Sequence, residues 1–273
     1  MSDGLTLLCV HAHPDDESSS TGGVLRTYAD QGVRTVLVTC TDGALGDAPD
    51  GVTPDAEHHS PDEVAAHRLE ELRTATEILG VTRVEVLGFK DSGMEGWPQN
   101  DAPGSFWSTP VDVAAKRLVP ILLEERPQVV VTYDERGFYG HPDHIQAHRV
   151  TVAALEASGL ASSLFYTAIP KSAFARFREL LREAEIDPPE QVEEDEPTIG
   201  TDDELIGAKV DVSGAADAKF DALSAHASQT DNSFFLKMGR DRFRQLFGTE
   251  WFVRALDPLG RTGVDDDLFA GYR

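Results

Sequence analysis

The chain has 273 residues, 40% of them hydrophobic, and a formal net charge of −24 at pH 7. That length suits one large α/β domain, or one domain with an appended lobe, and the charge argues against nucleic acid or an anionic membrane as partner, because phosphate binding needs clustered Lys and Arg. No apolar run approaches the ~18 residues of a bilayer span, and residues 1–8 lack the basic start of a secretory leader, so the expected compartment is the cytoplasm.

In chain order, residues 5–10 form a continuous apolar run that predicts a strand buried on both faces. A polar loop, 11–20, follows. Residues 22–31 read as a helix stopped by Gly32, and 33–40 as a second buried strand. Cys9 and Cys40 fall inside these strands and read as buried thiols; with no C-x-x-C pair, a cysteine zinc ribbon is excluded. The Gly/Asp/Pro-rich loop 41–60 is too long for a simple connector. Ser60-Pro61-Asp62-Glu63 signals a helix start, and that helix runs to about Leu79. A third strand is expected over 84–88, an irregular loop over 90–108, a helix from Thr109-Pro110 to about Arg126, and a fourth strand over 128–133. The loop 134–140, a helix over 142–158, a strand over 164–169 and a helix over 172–184 complete the regular part. Residues 183–204 are densely acidic without a Lys or Arg, the composition of a solvated loop. Beyond it the pattern weakens to one helix candidate, 215–229, and an aromatic-rich tail.

Strand and helix alternate five times. This predicts an α/β, Rossmann-like, mainly parallel sheet with helices on both faces. The expected divisions are a core over 1–185, an acidic loop over 186–208, and a C-terminal helix and tail over 209–273 packing on the core. Ligands of such sheets bind outside the carboxyl ends of the strands.

Two clusters follow strands at that edge: His11-Ala12-His13-Pro14-Asp15-Asp16-Glu17 after the first, and Gly140-His141-Pro142-Asp143-His144 after the fourth. Imidazole and carboxylate are natural Zn²⁺ ligands, and a catalytic site keeps three of them plus water. His13 and Asp16, three apart, can converge in a turn, which leaves Asp15 free for acid–base work. Pro142 suits the first position of a helix, and His144 then lies in its first turn, able to project back toward strand one. A single His-Pro-Asp is common by chance; two clusters at matching strand ends are not. His148 reads as a helix-face residue and His11 as structural, while His58, His59, His67 and His226 have no second cluster member nearby. No G-x-G-x-x-G follows strand one, which excludes a dinucleotide site.

These two motifs together resemble the LmbE-like, or PIG-L, family of zinc-dependent N-deacetylases. The resemblance spans roughly residues 5–155 and includes Asp91-Ser92-Gly93-Met94 and Val130-Val131-Thr132-Tyr133-Asp134. It is similar to the branch that makes and uses mycothiol, which holds both an N-acetylglucosaminyl-inositol deacetylase and a mycothiol S-conjugate amidase. The resemblance implies that His13, Asp16 and His144 bind one Zn²⁺ per chain, with Fe²⁺ as the alternative. It implies that Asp15 is the general base and that His141, protonated, stabilises the oxyanion, with Asp143 orienting or tuning it; either Asp15 or His141 would protonate the leaving amine. Tyr139 would stand near the reacting carbonyl, and Arg68 and Asp91 would hold substrate hydroxyls. From the residues alone, Arg68 pairs equally well with Glu70 or Glu71, Asp91 with a turn at Ser92-Gly93, and Tyr139 with the sheet edge. Ser18-Ser19-Ser20 stands where the amidase branch has a lysine, and Arg136-Gly137-Phe138-Tyr139 where two glycines are usual. The expected activity is hydrolysis of the acetamide of a small amino sugar. A thiol-conjugate amidase and a non-catalytic sugar-binding protein are the alternatives, and self-association is left open.

Overall fold

The computed structural model describes residues 4–49, 51–183, 200–229 and 235–273. Its centre is β1 (Thr6–His11), buried along its whole length. β2 (Arg34–Thr41) pairs with it in parallel on one side and β4 (Val129–Thr132) on the other. β3 (Arg83–Phe89) extends the sheet beyond β2, and β5 (Ser163–Ala168) beyond β4, both parallel. Two further strands close that side: β7 (Thr249–Leu256) runs antiparallel to β5, and β6 (Ile206–Asp211) antiparallel to β7. The order is β3-β2-β1-β4-β5-β7-β6.

Side chains of β1 alternate between two cores, which is why its sequence is apolar without interruption. Leu8 and Val10 face the core shared with α4 (Val111–Glu125) and α6 (Pro142–Ser158), where Leu118, Leu122, Val150 and Ala154 are fully buried. Leu7 and Cys9 face the other, with Val24 and Leu25 of α2 (Gly22–Asp30), Ala75 and Leu79 of α3 (Pro61–Leu79), and Ala222 of α8 (Ala216–Ala225). Burying each such Val or Leu contributes about 1.5–3 kcal/mol. Both cysteines are free and buried, as their setting in β1 and β2 predicts.

The expected elements up to α7 (Lys171–Glu183) are present, with two short α-helices added, one of them α5 (Gly137–Gly140) in the loop expected over 134–140. The loop expected over 11–20 contains the short helix α1 (Asp16–Ser20). The C-terminal part differs more. The helix expected over 215–229 is α8, which ends at Ala225, and the tail adds α9 (Arg240–Phe247) and the strands β6 and β7 to the sheet itself. β6 begins at Ile206, inside the stretch expected as acidic loop, because Ile206, Ala208 and Val210 are buried against the core. Residues 186–199 of that stretch lie outside the described residues. Among the described residues no helix is long and apolar enough to cross a membrane.

The chain leaves β1 toward β2 and later returns on its other side as β4. The strand order therefore reverses between β1 and β4, and a crevice opens beyond their carboxyl ends. Both sequence clusters sit there.

Candidate active site

Past the end of β1 the chain turns sharply. His13 N donates to Asp16 Oδ2 at 2.8 Å, and Asp15 adopts φ 117, a left-handed conformation that costs a non-glycine residue about 1–3 kcal/mol. Surrounding groups hold it. Asp15 N donates to Glu17 Oε2 at 3.0 Å. Arg68, buried on α3, donates to Pro14 O at 2.6 Å and Gly43 O at 2.8 Å, and its guanidinium lies 3.3 Å from the Asp15 carboxylate. On the other side of the crevice, the one-turn α5 (Gly137–Gly140) leads into α6. Gly137 has φ 62, and a Cβ there would meet Ile145 N at 2.6 Å, so only glycine fits. His141 caps α6: its Nδ1 accepts from Asp143 N at 3.1 Å. Pro142 occupies the first turn and His144 projects inward from it, 3% exposed.

The two loops meet. Asp16 stands between two imidazoles, Oδ2 at 3.4 Å from His13 Nδ1 and Oδ1 at 3.4 Å from His144 Nε2. The rings of His13 and His144 lie 5.3 Å apart, and that of His141 is 4.6 Å from His13. Nitrogens of His13, His141 and His144 fall within 4.8 Å of one another, as do the donor atoms of His13, Asp91 and Asp143. Neither nitrogen of His144 has a hydrogen-bond partner although both are buried. Buried polar atoms without partners are rare, and an imidazole left this way beside a carboxylate and a second imidazole fits a His₂Asp cation site.

Charge follows geometry. Burial pushes the Asp15 carboxyl above the usual carboxylate range, against the pull of Arg68. Burial would do the same to Asp16, but His144 and His13 outweigh it and hold its carboxyl well below that range. Burial lowers His13, yet Asp91, Asp143 and Asp16 around it raise it overall. His141 is driven down by burial, then by His13 and His144. With Nδ1 accepting from Asp143 N, Nε2 is the nitrogen left to donate into the crevice.

Other expected residues take different places. The Asp143 carboxylate does not orient His141; it meets His13 Nε2 at 3.2 Å and accepts from Ser92 N at 2.9 Å, and only its backbone N–H reaches His141. Arg68 pairs with neither Glu70 nor Glu71; its two terminal nitrogens hold the loop after β1, at Pro14 O, and the loop after β2, at Gly43 O. Asp91 accepts from Gly93 N at 2.9 Å and Leu45 N at 3.2 Å, which pins a turn, and stands 3.7 Å from His13. Tyr139 is 46% exposed at the mouth, its ring 5.0 Å from that of His144. His148 bonds Tyr133 O at 3.0 Å, away from the cluster. His11 is bridged to Tyr133 and Thr21, and burial pushes its pKa down to about 4. Tyr133, named in the sequence only within the stretch Val130 to Asp134 and given no role, stacks on His144 at 4.2 Å and binds Ala12 N through its hydroxyl; its place at the end of an apolar strand was the available signal.

A family model described as "PIG-L: GlcNAc-PI de-N-acetylase" matches residues 8–155. A 1D-myo-inositol 2-acetamido-2-deoxy-alpha-D-glucopyranoside deacetylase from Acidothermus cellulolyticus is 42% identical, over 97% of this chain and 94% of its own. Among solved structures, the N,N'-diacetylchitobiose deacetylase of Pyrococcus horikoshii shares the fold, with TM-score 0.59, 21% identity and coverage of 92% of this chain and 83% of that one. So does the 4-carboxy-2-hydroxymuconate hydratase GalB of Pseudomonas putida, with TM-score 0.60 and 19% identity over 95% and 99% of the two chains. One scaffold thus carries unlike chemistries, and the site has to decide. Site and relatives together define a hydrolase acting on an amide bond. The chain belongs to the PIG-L family.

Proposed function

We propose that the protein is a zinc-dependent N-deacetylase that hydrolyses the acetamide of an N-acetylglucosaminyl-inositol substrate to the free amine and acetate in the cytoplasm. The observation that carries this reading is the convergence of His13, Asp16 and His144 from two distant loops, with the Asp15 carboxylate beside them at the β1/β4 crevice. The substrate follows from the name of the Acidothermus relative. His13, Asp16 and His144 would hold the metal, with Fe²⁺ as the alternative ion; a Zn²⁺ bound there supplies Lewis acidity toward a carbonyl oxygen and a more acidic water.

Asp15 takes the proton of the attacking water. Its carboxylate lies beside the proposed ligands, held by Arg68 at 3.3 Å, and can pass that proton on. The water oxygen bonds to the acetyl carbon, and the C–N bond breaks as the sugar nitrogen receives the proton from Asp15. His141 donates from Nε2 to the oxygen on which negative charge develops. Tyr139 closes the mouth over His141 and His144. Asp143 and Asp91 fix His13 from behind, and Arg68 fixes Asp15.

Two variants test the assignment on that glycoside, with released amine and bound metal both measured. Asp15→Asn keeps its metal and loses at least about 100-fold in kcat, while His13→Ala loses metal and activity together. Near-native turnover by Asp15→Asn would remove Asp15 as the base.

A further inference from the structure

His226, solitary in sequence, is buried beneath the catalytic loop. It leaves the C-terminal end of α8 and places Nε2 2.8 Å from Glu17 Oε1, with both side chains completely enclosed. Ser18 Oγ donates to the same oxygen at 2.5 Å. The other carboxylate oxygen of Glu17 accepts the Asp15 amide, the bond that closes the left-handed turn at φ 117. Nearby residues do parallel work. Ser228 N and Oγ donate to the Glu71 carboxylate at 2.8 and 2.7 Å, and Gln229 Nε2 donates to Asp47 O at 3.0 Å. Residues 226–229 therefore strap the C-terminal half of the chain across the catalytic loop, α3 and the loop after β2.

We propose that His226 is a positioning residue for the deacetylation reaction, acting through Glu17 on the backbone of Asp15. A carboxylate whose Oε1 is held by His226 and Ser18 cannot swing, so Oε2 stays where the Asp15 amide needs it. Without His226, Glu17 is a buried anion with one fewer donor. It reorients, and the Asp15 backbone relaxes from its left-handed conformation and moves the base. The inference rests on the assignment of Asp15 above.

The test compares His226→Leu with His226→Gln, which restores a donor of similar reach, each as metal-loaded full-length protein on the same glycoside. Leucine lowers kcat about 100-fold, the scale of a base displaced by an ångström, with KM and metal content unchanged; glutamine recovers at least tenfold of that loss. In an Asp15→Asn background, His226→Leu has no further effect on the residual rate, since two groups acting as one are not additive. Amide hydrogen exchange of the 13–18 segment rises in His226→Leu alone. Should the leucine variant fail to fold, His226→Gln and His226→Asn carry the same double-variant comparison. Native kcat in His226→Leu, a rise in KM at constant kcat, or an equal fractional loss with and without Asp15 would overturn the proposal. Full activity of Asp15→Asn itself would instead remove the assignment on which it rests.

Discussion

Arg68 shows why residue type alone is a poor guide to role. A helix rich in Glu suggests surface pairing, and the family resemblance suggests a grip on substrate, yet the guanidinium is 4% exposed and bonded to two backbone carbonyls. A lysine offers a single ammonium and cannot bridge both oxygens. Arg68→Lys should therefore lower kcat about 10- to 100-fold with KM within about threefold; a KM increase at constant kcat would instead indicate lost ground-state binding, and steady-state kinetics separate the two. The candidate metal ligands were legible because their chemistry is concentrated in two short motifs after strands. The supports of Asp15 were not. Pro14 O and Gly43 O are backbone groups that no sequence motif advertises, and His226 meets Glu17 across 209 residues. For Asp143 the contacting atom was hidden for a related reason: its backbone N–H, not its side chain, is what faces His141.

Among elements, the buried parallel strands were the easiest to read, since burial on both faces makes them continuously apolar. β7 alternates between buried and partly exposed positions and ends exposed, which leaves a weaker pattern, and α1 is a five-residue helix begun by the motif itself. β7 nonetheless organises the N-terminal half. Glu250 on it accepts from Gly23 N and Val24 N at the start of α2, at 2.8 and 2.9 Å, and holds the buried Lys219 ammonium of α8 at 2.6 Å. Glu250→Ala strands that charge and should cost about 3–5 kcal/mol in urea unfolding; a loss below 1 kcal/mol would contradict the clamp. At the opposite end of the sheet, Glu125 of α4 bonds Arg34 at 2.6 Å and Arg83 at 2.7 Å. The hydrogen bonds from Arg34, then Arg83, outweigh burial and push its carboxyl from 4.5 down to about 2. A folded pKa below the unfolded one stabilises fully above pH 4.5 and loses that contribution as pH falls toward 2. Melting curves across this window should therefore fall more steeply for the native protein than for Glu125→Gln; parallel curves would dismiss the pair as a source of acid sensitivity.

For the whole molecule, a net charge of −24 works against compaction through self-repulsion, and salt screens it within a Debye length of about 10 Å at 0.1 M. The melting temperature should rise between 0.02 and about 0.5 M NaCl, and a fall would show that surface ion pairs outweigh repulsion. Within the parallel sheet that the sequence periodicity foretold, the strand order brings the carboxyl ends of β1 and β4 together at its reversal, so that residues 128 positions apart share a crevice. Fold alone does not assign chemistry there, as the hydratase of like fold makes plain. The decisive measurement is a zinc titration of chelator-stripped protein, following acetate release from the N-acetylglucosaminyl-inositol glycoside. The account predicts no turnover without metal and full turnover at one Zn²⁺ per chain, abolished in His144→Ala. Undiminished hydrolysis by the stripped protein, or none by the fully loaded one, would contradict it.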